Sequence, residues 1–313
     1  RYETGNFYGF HLGISGFFIF NVGSSDFTQN DAVTGRGSRY ELALFDLTDP
    51  HNKHDIDRLE ELFVKYTFGK HSHIEFGKIL INTPLINLQD GRMRPSGVEG
   101  LWFDINELKH WEFQGGYLYG FSPRSTVEWY QGGKSIGLYE NGVISNGQAA
   151  NYRGNVESMG TIVLSAKNKI SNKVSIQAWN YLIENTLNTG LIQLDTRFPV
   201  DSNQNYFASA QFIRQDGINH GGNPDPSKTY VEKGHTSMTW GGRLGWKNKN
   251  WTIDLNYNRI THHGRFVFPR EWGRLAFFSF IPRERNEGLG NVNAMSTRLA
   301  YRVPKTGFEI LLS

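Results

Sequence analysis

Apolar and polar residues alternate with a period of two along most of the chain. Between Phe7 and Val22 the even positions are Tyr8, Phe10, Leu12, Ile14, Gly16, Phe18, Phe20 and Val22, seven of eight apolar, while the odd ones include Gly9, His11, Gly13, Ser15 and Asn21. A β-strand turns successive side chains to opposite faces, so this spacing predicts a strand with one apolar and one mixed face. The pattern returns at Trp111, Phe113, Gly115, Tyr117, Tyr119 and Phe121, at Met238 to Trp246, at Trp251 to Tyr257, and at Met295 to Tyr301. Thirteen strands are expected, near 7–22, 59–68, 72–80, 99–106, 109–121, 153–167, 173–184, 190–198, 205–214, 236–247, 251–262, 293–302 and 307–313.

The connections discriminate between all-β architectures. Short turns at 69–71, 107–108, 168–172, 199–204, 248–250 and 303–306 alternate with long segments at 23–58, 81–98, 122–152, 215–235 and 263–292, and only 185–189 breaks the rhythm. Short turns at one end and long loops at the other mark a transmembrane β-barrel. A soluble sandwich or propeller spaces its turns every 8–12 residues without that asymmetry. Trp111, Trp246, Trp251 and Tyr301 sit beside the short turns, where interfacial aromatics belong. The Arg39 to Leu47 stretch alternates in part, but a span there would invert every later turn, so it is read as extended structure inside the first long loop.

Composition agrees with this reading and narrows the chemistry. Of 313 residues 14% are aromatic and 35 are Gly, and Lys+Arg 33 against Asp+Glu 30 leaves a formal charge of +3. The basic residues are scattered, so no nucleic-acid surface is expected. The absence of Cys removes disulfides, thiolate metal sites and cysteine nucleophiles. Apolar runs reach only four residues, far short of the roughly 20 of a membrane helix. The mean hydropathy of -0.49 is compatible with a barrel, which needs only alternate residues to be apolar. Nucleophile-elbow, P-loop and dinucleotide fingerprints do not occur. The pairs His71/His73 and His262/His263 lack a third ligand, and the acids from Asp46 to Glu61 match no EF-hand spacing. No catalytic residue, cofactor or metal site is therefore assigned.

The segment Asn82-Thr83-Pro84-Leu85-Ile86-Asn87-Leu88-Gln89-Asp90-Gly91-Arg92-Met93-Arg94-Pro95, followed by Glu99-Gly100, carries the densest candidate chemistry. Guanidinium forks at Arg92 and Arg94, close to Asp90 and Glu99, suit carboxylate solutes if the loop folds into a lumen. An internal Arg–Asp network on an external loop is the alternative reading. Strand parity adds inward-facing Arg243, Arg298, Arg302 and Arg197, and inward acids Glu61, Glu75, Glu112, Glu157 and Asp254.

The run from Leu80 to Pro123 resembles the OprD-like outer-membrane porin family of Gram-negative bacteria. A second likeness lies in Phe-Val-Phe-Pro-Arg-Glu-Trp-Gly-Arg, the stretch 266–274, with the basic segment that follows it to Gly288. The resemblance implies a transmembrane antiparallel β-barrel of 18 strands (16 is the alternative), of which 13–14 lie in this chain. It also implies that nearly two strands precede Arg1 and about three follow Ser313. It further implies that loops 81–98 and 263–292 narrow the pore and that a row of arginines guides anions. The expected function is passive, partly selective diffusion of small anionic or zwitterionic solutes across the outer membrane, with solute contacts at Asp90, Arg92, Arg94, Glu99, Arg243 and Arg298. Expected partners are the lipid bilayer and small solutes. The alternative is a structural barrel subunit whose loops bind proteins in an outer-membrane complex.

Overall fold

A computed structural model describes residues 1–313 except 24, 25, 27, 31, 34, 36–44, 53, 55, 90–93, 140, 141, 143–147, 282–284, 305, 307 and 313. The residues 36–44 of the stretch read as extended loop structure lie outside the described residues.

Among the described residues, fifteen strands form one antiparallel sheet. They are β1 (Tyr2–Glu3), β2 (Phe10–Phe17), β3 (Arg58–Phe68), β4 (Ser72–Ile79), β5 (Gly97–Ile105), β6 (Trp111–Ser122), β7 (Tyr130–Gln131), β8 (Thr161–Ser171), β9 (Val174–Ile183), β10 (Leu187–Pro199), β11 (Asn205–Gly217), β12 (Thr236–Lys247), β13 (Trp251–Ile260), β14 (Val292–Arg302) and β15 (Glu309–Leu312). Each strand pairs with its neighbours in chain order, except that β7 continues the edge of β6 beyond β8. All thirteen expected strands occur. The first is shorter than its alternation, because Tyr8 and Gly9 take positive φ (53° and 90°) and turn the chain into β2. The strand expected from 153 starts at Thr161 instead. Its first residues are held by other loops: the Glu157 N–H donates to Gly222 C=O at 2.6 Å, and Val156 is buried in the interior cluster. Glu157 is thus a loop residue, not an inward acid of a strand.

Register turns the period-two pattern into two faces. Leu12, Val64, Phe76, Leu101, Tyr117 and Ile162 stand opposite one another across five successive strand pairs, and all are exposed. Ala208, Leu244 and Leu255 continue this outer face further along the sheet. Exposed apolar side chains in rows are the lipid-facing surface of a spanning strand. Aromatics gather at the short-turn end, with the Trp251 and Tyr301 rings 4.3 Å apart. The short turns are locally tied. Glu107 Oε1 accepts the N–H groups of Lys70 (2.8 Å) and His71 (2.9 Å) and the Ser72 hydroxyl (3.0 Å), which holds its carboxyl below the usual glutamate range.

The opposite face carries the interior cluster. Wall residues Phe63, Val98, Trp102, Leu118, Tyr181 and Ile213 pack there against loop residues Leu85, Ile86, Phe266 and Trp272. The long loops therefore fold back over the inner face of the sheet.

Candidate functional site

Three loops, 80–96, 123–160 and 261–291, meet on the inner face. The first is seated on the wall by Tyr181, whose hydroxyl donates to Thr83 Oγ1 at 3.0 Å. Thr83 closes its own turn, donating from both N–H and Oγ1 to Ile86 C=O at 2.8 Å. The third loop is held by wall amides. Gln215 Nε2 donates to Val267 C=O (2.7 Å), Gln211 Nε2 donates to Ala276 C=O (3.1 Å), and Asn258 Oδ1 accepts the Ser279 N–H (2.9 Å). These amides lie on strands, where parity turns them inward and burial demands partners for their polar atoms.

The first and third loops then bind each other through backbone. The Asn87 N–H donates to Trp272 C=O at 3.0 Å, and Asn87 Oδ1 accepts the Arg274 N–H at 3.0 Å. Gln89 Nε2 donates to Arg270 C=O (2.9 Å) and Gly273 C=O (3.1 Å). Close approach is possible because residue 273 has no side chain: a Cβ there would lie 2.4 Å from the Leu85 carbonyl oxygen. Since the obstacle is backbone, Gly273→Ala is expected to force the loops apart at a cost of about 1–3 kcal/mol. A urea-unfolding midpoint compared with that of the parent checks it.

Two cavities flank segment 267–275. The inner one, about 600 Å³, is lined by Arg243, Arg274 and Lys167, by Glu112, and by the apolar Trp179 and Phe277. Arg243 reaches it from β12 with its guanidinium carbon 4.5 Å from the Phe278 ring centroid. Its ties to the wall are loose, 3.4 Å to Ser209 Oγ and 3.9 Å to Asp195 Oδ1, and its Nε has no hydrogen-bond partner among the described residues. Glu112 is engaged by Lys167 (3.1 Å) and Lys169 (2.6 Å), so the cavity carries a net cationic surface. The outer cavity, about 270 Å³, is lined by Arg265, Arg270, Glu271, Glu287, Tyr152 and Tyr230. Burial pushes the Tyr152 phenol up to about 12 and that of Tyr230 well above its ordinary value, so both stay neutral donors.

The expected solute-contacting residues separate. Asp90 and Arg92 lie outside the described residues. Arg94 is 2% exposed and donates to the carbonyls of Ile56 (2.8 Å) and Phe45, so its guanidinium ties loop 80–96 to the first long loop. Burial, then the neighbouring Arg58, pushes its pKa down to about 10. Glu99 falls on the outer face, in phase with Leu101, and pairs with Lys78 at 2.7 Å, where the Trp129 ring covers the ammonium at 4.0 Å. The reason is strand parity: β5 begins at Gly97, so Val98 turns inward and Glu99 outward. Arg298 faces inward and forks onto Asp254 (2.9 and 2.8 Å). Of the six, the structure brings Arg243 to the inner cavity. It adds two residues that sequence reasoning did not single out, Arg274 and Lys167. Lys167 had a readable signal, its inward phase opposite Glu112. Arg274 closes the 266–274 stretch that carries the second likeness, but its place in the cavity depends on the bonds between loops.

The family described as outer membrane porin, OprD family, matches residues 31–281. The fold is similar to that of Pseudomonas aeruginosa OccK8 (OprE), at 13% identity and TM-score 0.66, over 83% of this chain and 66% of that one. Similarity to P. aeruginosa OpdK, solved with vanillate, is 14% in identity with TM-score 0.64, over 85% and 64%. For P. aeruginosa OccK9 (OpdG) it is 13% with TM-score 0.65, over 94% and 66%. The chain spans less than two thirds of the length of the solved structures it matches, from 53% to 66%. A comparison with curated proteins returns no match.

Proposed function

The chain belongs to the OprD family of outer membrane porins, and from that premise we propose that it lines a passive diffusion path for small carboxylate-bearing solutes, anionic or zwitterionic. It does no covalent chemistry and uses no cofactor. The observation that carries the reading is the inner cavity, in which Arg243, Arg274 and Lys167 outnumber Glu112 beside an aromatic wall. Arg presents a planar fork that matches a carboxylate, and a low-dielectric wall strengthens that attraction. Phe277 and Trp179 would accept the apolar body of an aromatic acid, the class to which the vanillate of the OpdK structure belongs. Loops 80–96 and 261–291 would set the narrowest passage, since their mutual bonds hold them across the inner face. The alternative of a partner-binding structural subunit finds no support in the comparisons.

Benzoate added to the complete protein in a planar bilayer is expected to reduce the chloride current at concentrations that leave the open barrel intact. In an Arg243→Gln/Arg274→Gln variant that block should weaken by about tenfold or more, the loss of roughly one charge-assisted contact. A benzoate response unchanged by both substitutions would refute the assignment of the cavity.

A further inference from the structure

Glu271 is a carboxylate buried where three loops meet. It is 3% exposed, and its Oε1 accepts the N–H groups of Gly137 (2.9 Å) and Tyr139 (3.0 Å) from loop 123–160. Its own carbonyl accepts from Ser96 Oγ of the first loop at 3.3 Å. The next residue, Trp272, donates from Nε1 to Ser135 Oγ at 2.7 Å and stacks on Phe121 at 4.0 Å with an interplanar angle of 4°. One dipeptide therefore joins the loop between β13 and β14 to both others. It also stands between the inner and outer cavities.

We propose that Glu271 is a positioning residue for permeation, a buried carboxylate that sets the Trp272 loop across the inner face and loosens this junction when it ionises. The inference rests on the porin reading above. Both backbone N–H groups go to the same oxygen, so a protonated carboxyl keeps both bonds while its second oxygen carries the proton. Ionisation leaves those bonds in place but puts a charge on a side chain that is almost wholly shielded from solvent. Burial raises the proton affinity of Glu271, and the N–H donors of Tyr139, Glu271 and Gly137, with the Arg270 charge, oppose that rise only in part. Charged and titratable groups face it from the same cavity. Arg265 and Arg270 line that cavity, Glu287 is paired with Arg270 at 2.7 Å, and burial shifts the phenols of Tyr139, Tyr152 and Tyr230 upward.

The sign follows from linkage. A carboxyl with a folded-state pKa above its unfolded value contributes stability that is fully present below the ordinary glutamate range. That stability is lost as pH rises through the raised value. The junction should therefore loosen with increasing pH, starting above the ordinary glutamate range.

The test is single-channel recording of the complete protein against pH, on wild type, Glu271→Gln and Glu271→Ala, each first shown to be a folded barrel by heat-modifiable gel mobility. Wild type is expected to show a rise in open-channel noise and mean conductance as pH increases. Glu271→Gln keeps an acceptor oxygen without the charge, so it should lose the pH step and stay in the quiet state. Glu271→Ala should be noisy at every pH. A Glu271→Gln channel that retains the wild-type pH profile, or a Glu271→Ala channel indistinguishable from wild type, overturns the inference while leaving the porin reading intact. A folded wild-type barrel that never conducts overturns both.

Discussion

Trp272→Ala is expected to destabilise the folded barrel by about 3–5 kcal/mol, the usual cost of truncating a buried large aromatic. Trp272 is 2% exposed, stacks on Phe121 and meets the edge of Phe268 at 6.0 Å between centroids. Its removal also leaves the buried Ser135 hydroxyl without its indole donor. The loss falls on the loop junction and not on the strand ladder, so the barrel should still form. The expected signature is a lower urea midpoint together with a larger and less selective single-channel conductance. Trp272→Phe, which keeps the stack and loses only the N–H, should recover most of both. Equal conductance in Trp272→Ala and wild type would separate this residue from the passage.

Arg58→Ala is expected to cost a similar amount, about 3–5 kcal/mol, for an electrostatic reason. The Arg58 side chain, at 0% exposure, forks onto Glu60 at 2.7 Å. Its Nη1 donates to Ser122 Oγ (2.9 Å) and to the carbonyls of Ser122 (3.1 Å) and Pro123 (3.1 Å), and Nη2 donates to Pro95 C=O. One guanidinium thus pins the ends of loops 80–96 and 123–160 to the outer end of β3. Removing one partner of a buried pair strands the other, which is far more costly than replacing both. Arg58→Ala/Glu60→Ala should therefore recover part of the loss. Arg58→Lys should fall between, because an ammonium cannot fill the fork. Equilibrium urea unfolding in detergent, followed by tryptophan fluorescence, orders the four proteins. A double variant as unstable as the single one would contradict the argument.

Much of the fold was legible because barrel strands obey a local rule. Alternation located the thirteen strands, and the asymmetry of turns and loops told one end of the sheet from the other. Parity alone placed Arg243 and Arg298 on the inner face, where they are found. The failures share one cause, long-range contact overriding local pattern. Residues 153–160 alternate like a strand, yet the Gly133 N–H takes Ser158 C=O and Gly222 C=O takes the Glu157 N–H, so the ladder begins only at Thr161. A bulge lets Gly120, not Tyr119, stand opposite Glu99, and the same strand parity sends Glu99 outward. Arg94 reads as a pore charge by composition. It acts as a strut because the carbonyls of Ile56 and Phe45, some 40–50 residues away in sequence, lie around it. Arg274 was hidden for the converse reason: its loop is docked by distant amides, those of Asn87 and Gln89 on the first loop and of Gln211 and Gln215 on the wall.

The proposed preference of the inner face for small anions rests on Arg243, Arg274 and Lys167. The most direct test is the reversal potential of the complete protein in a planar bilayer under a potassium chloride gradient. The expected potential is displaced toward the chloride equilibrium value and moves toward zero in Arg243→Gln/Arg274→Gln. A potential displaced toward potassium, or a folded barrel that passes no current, would contradict it.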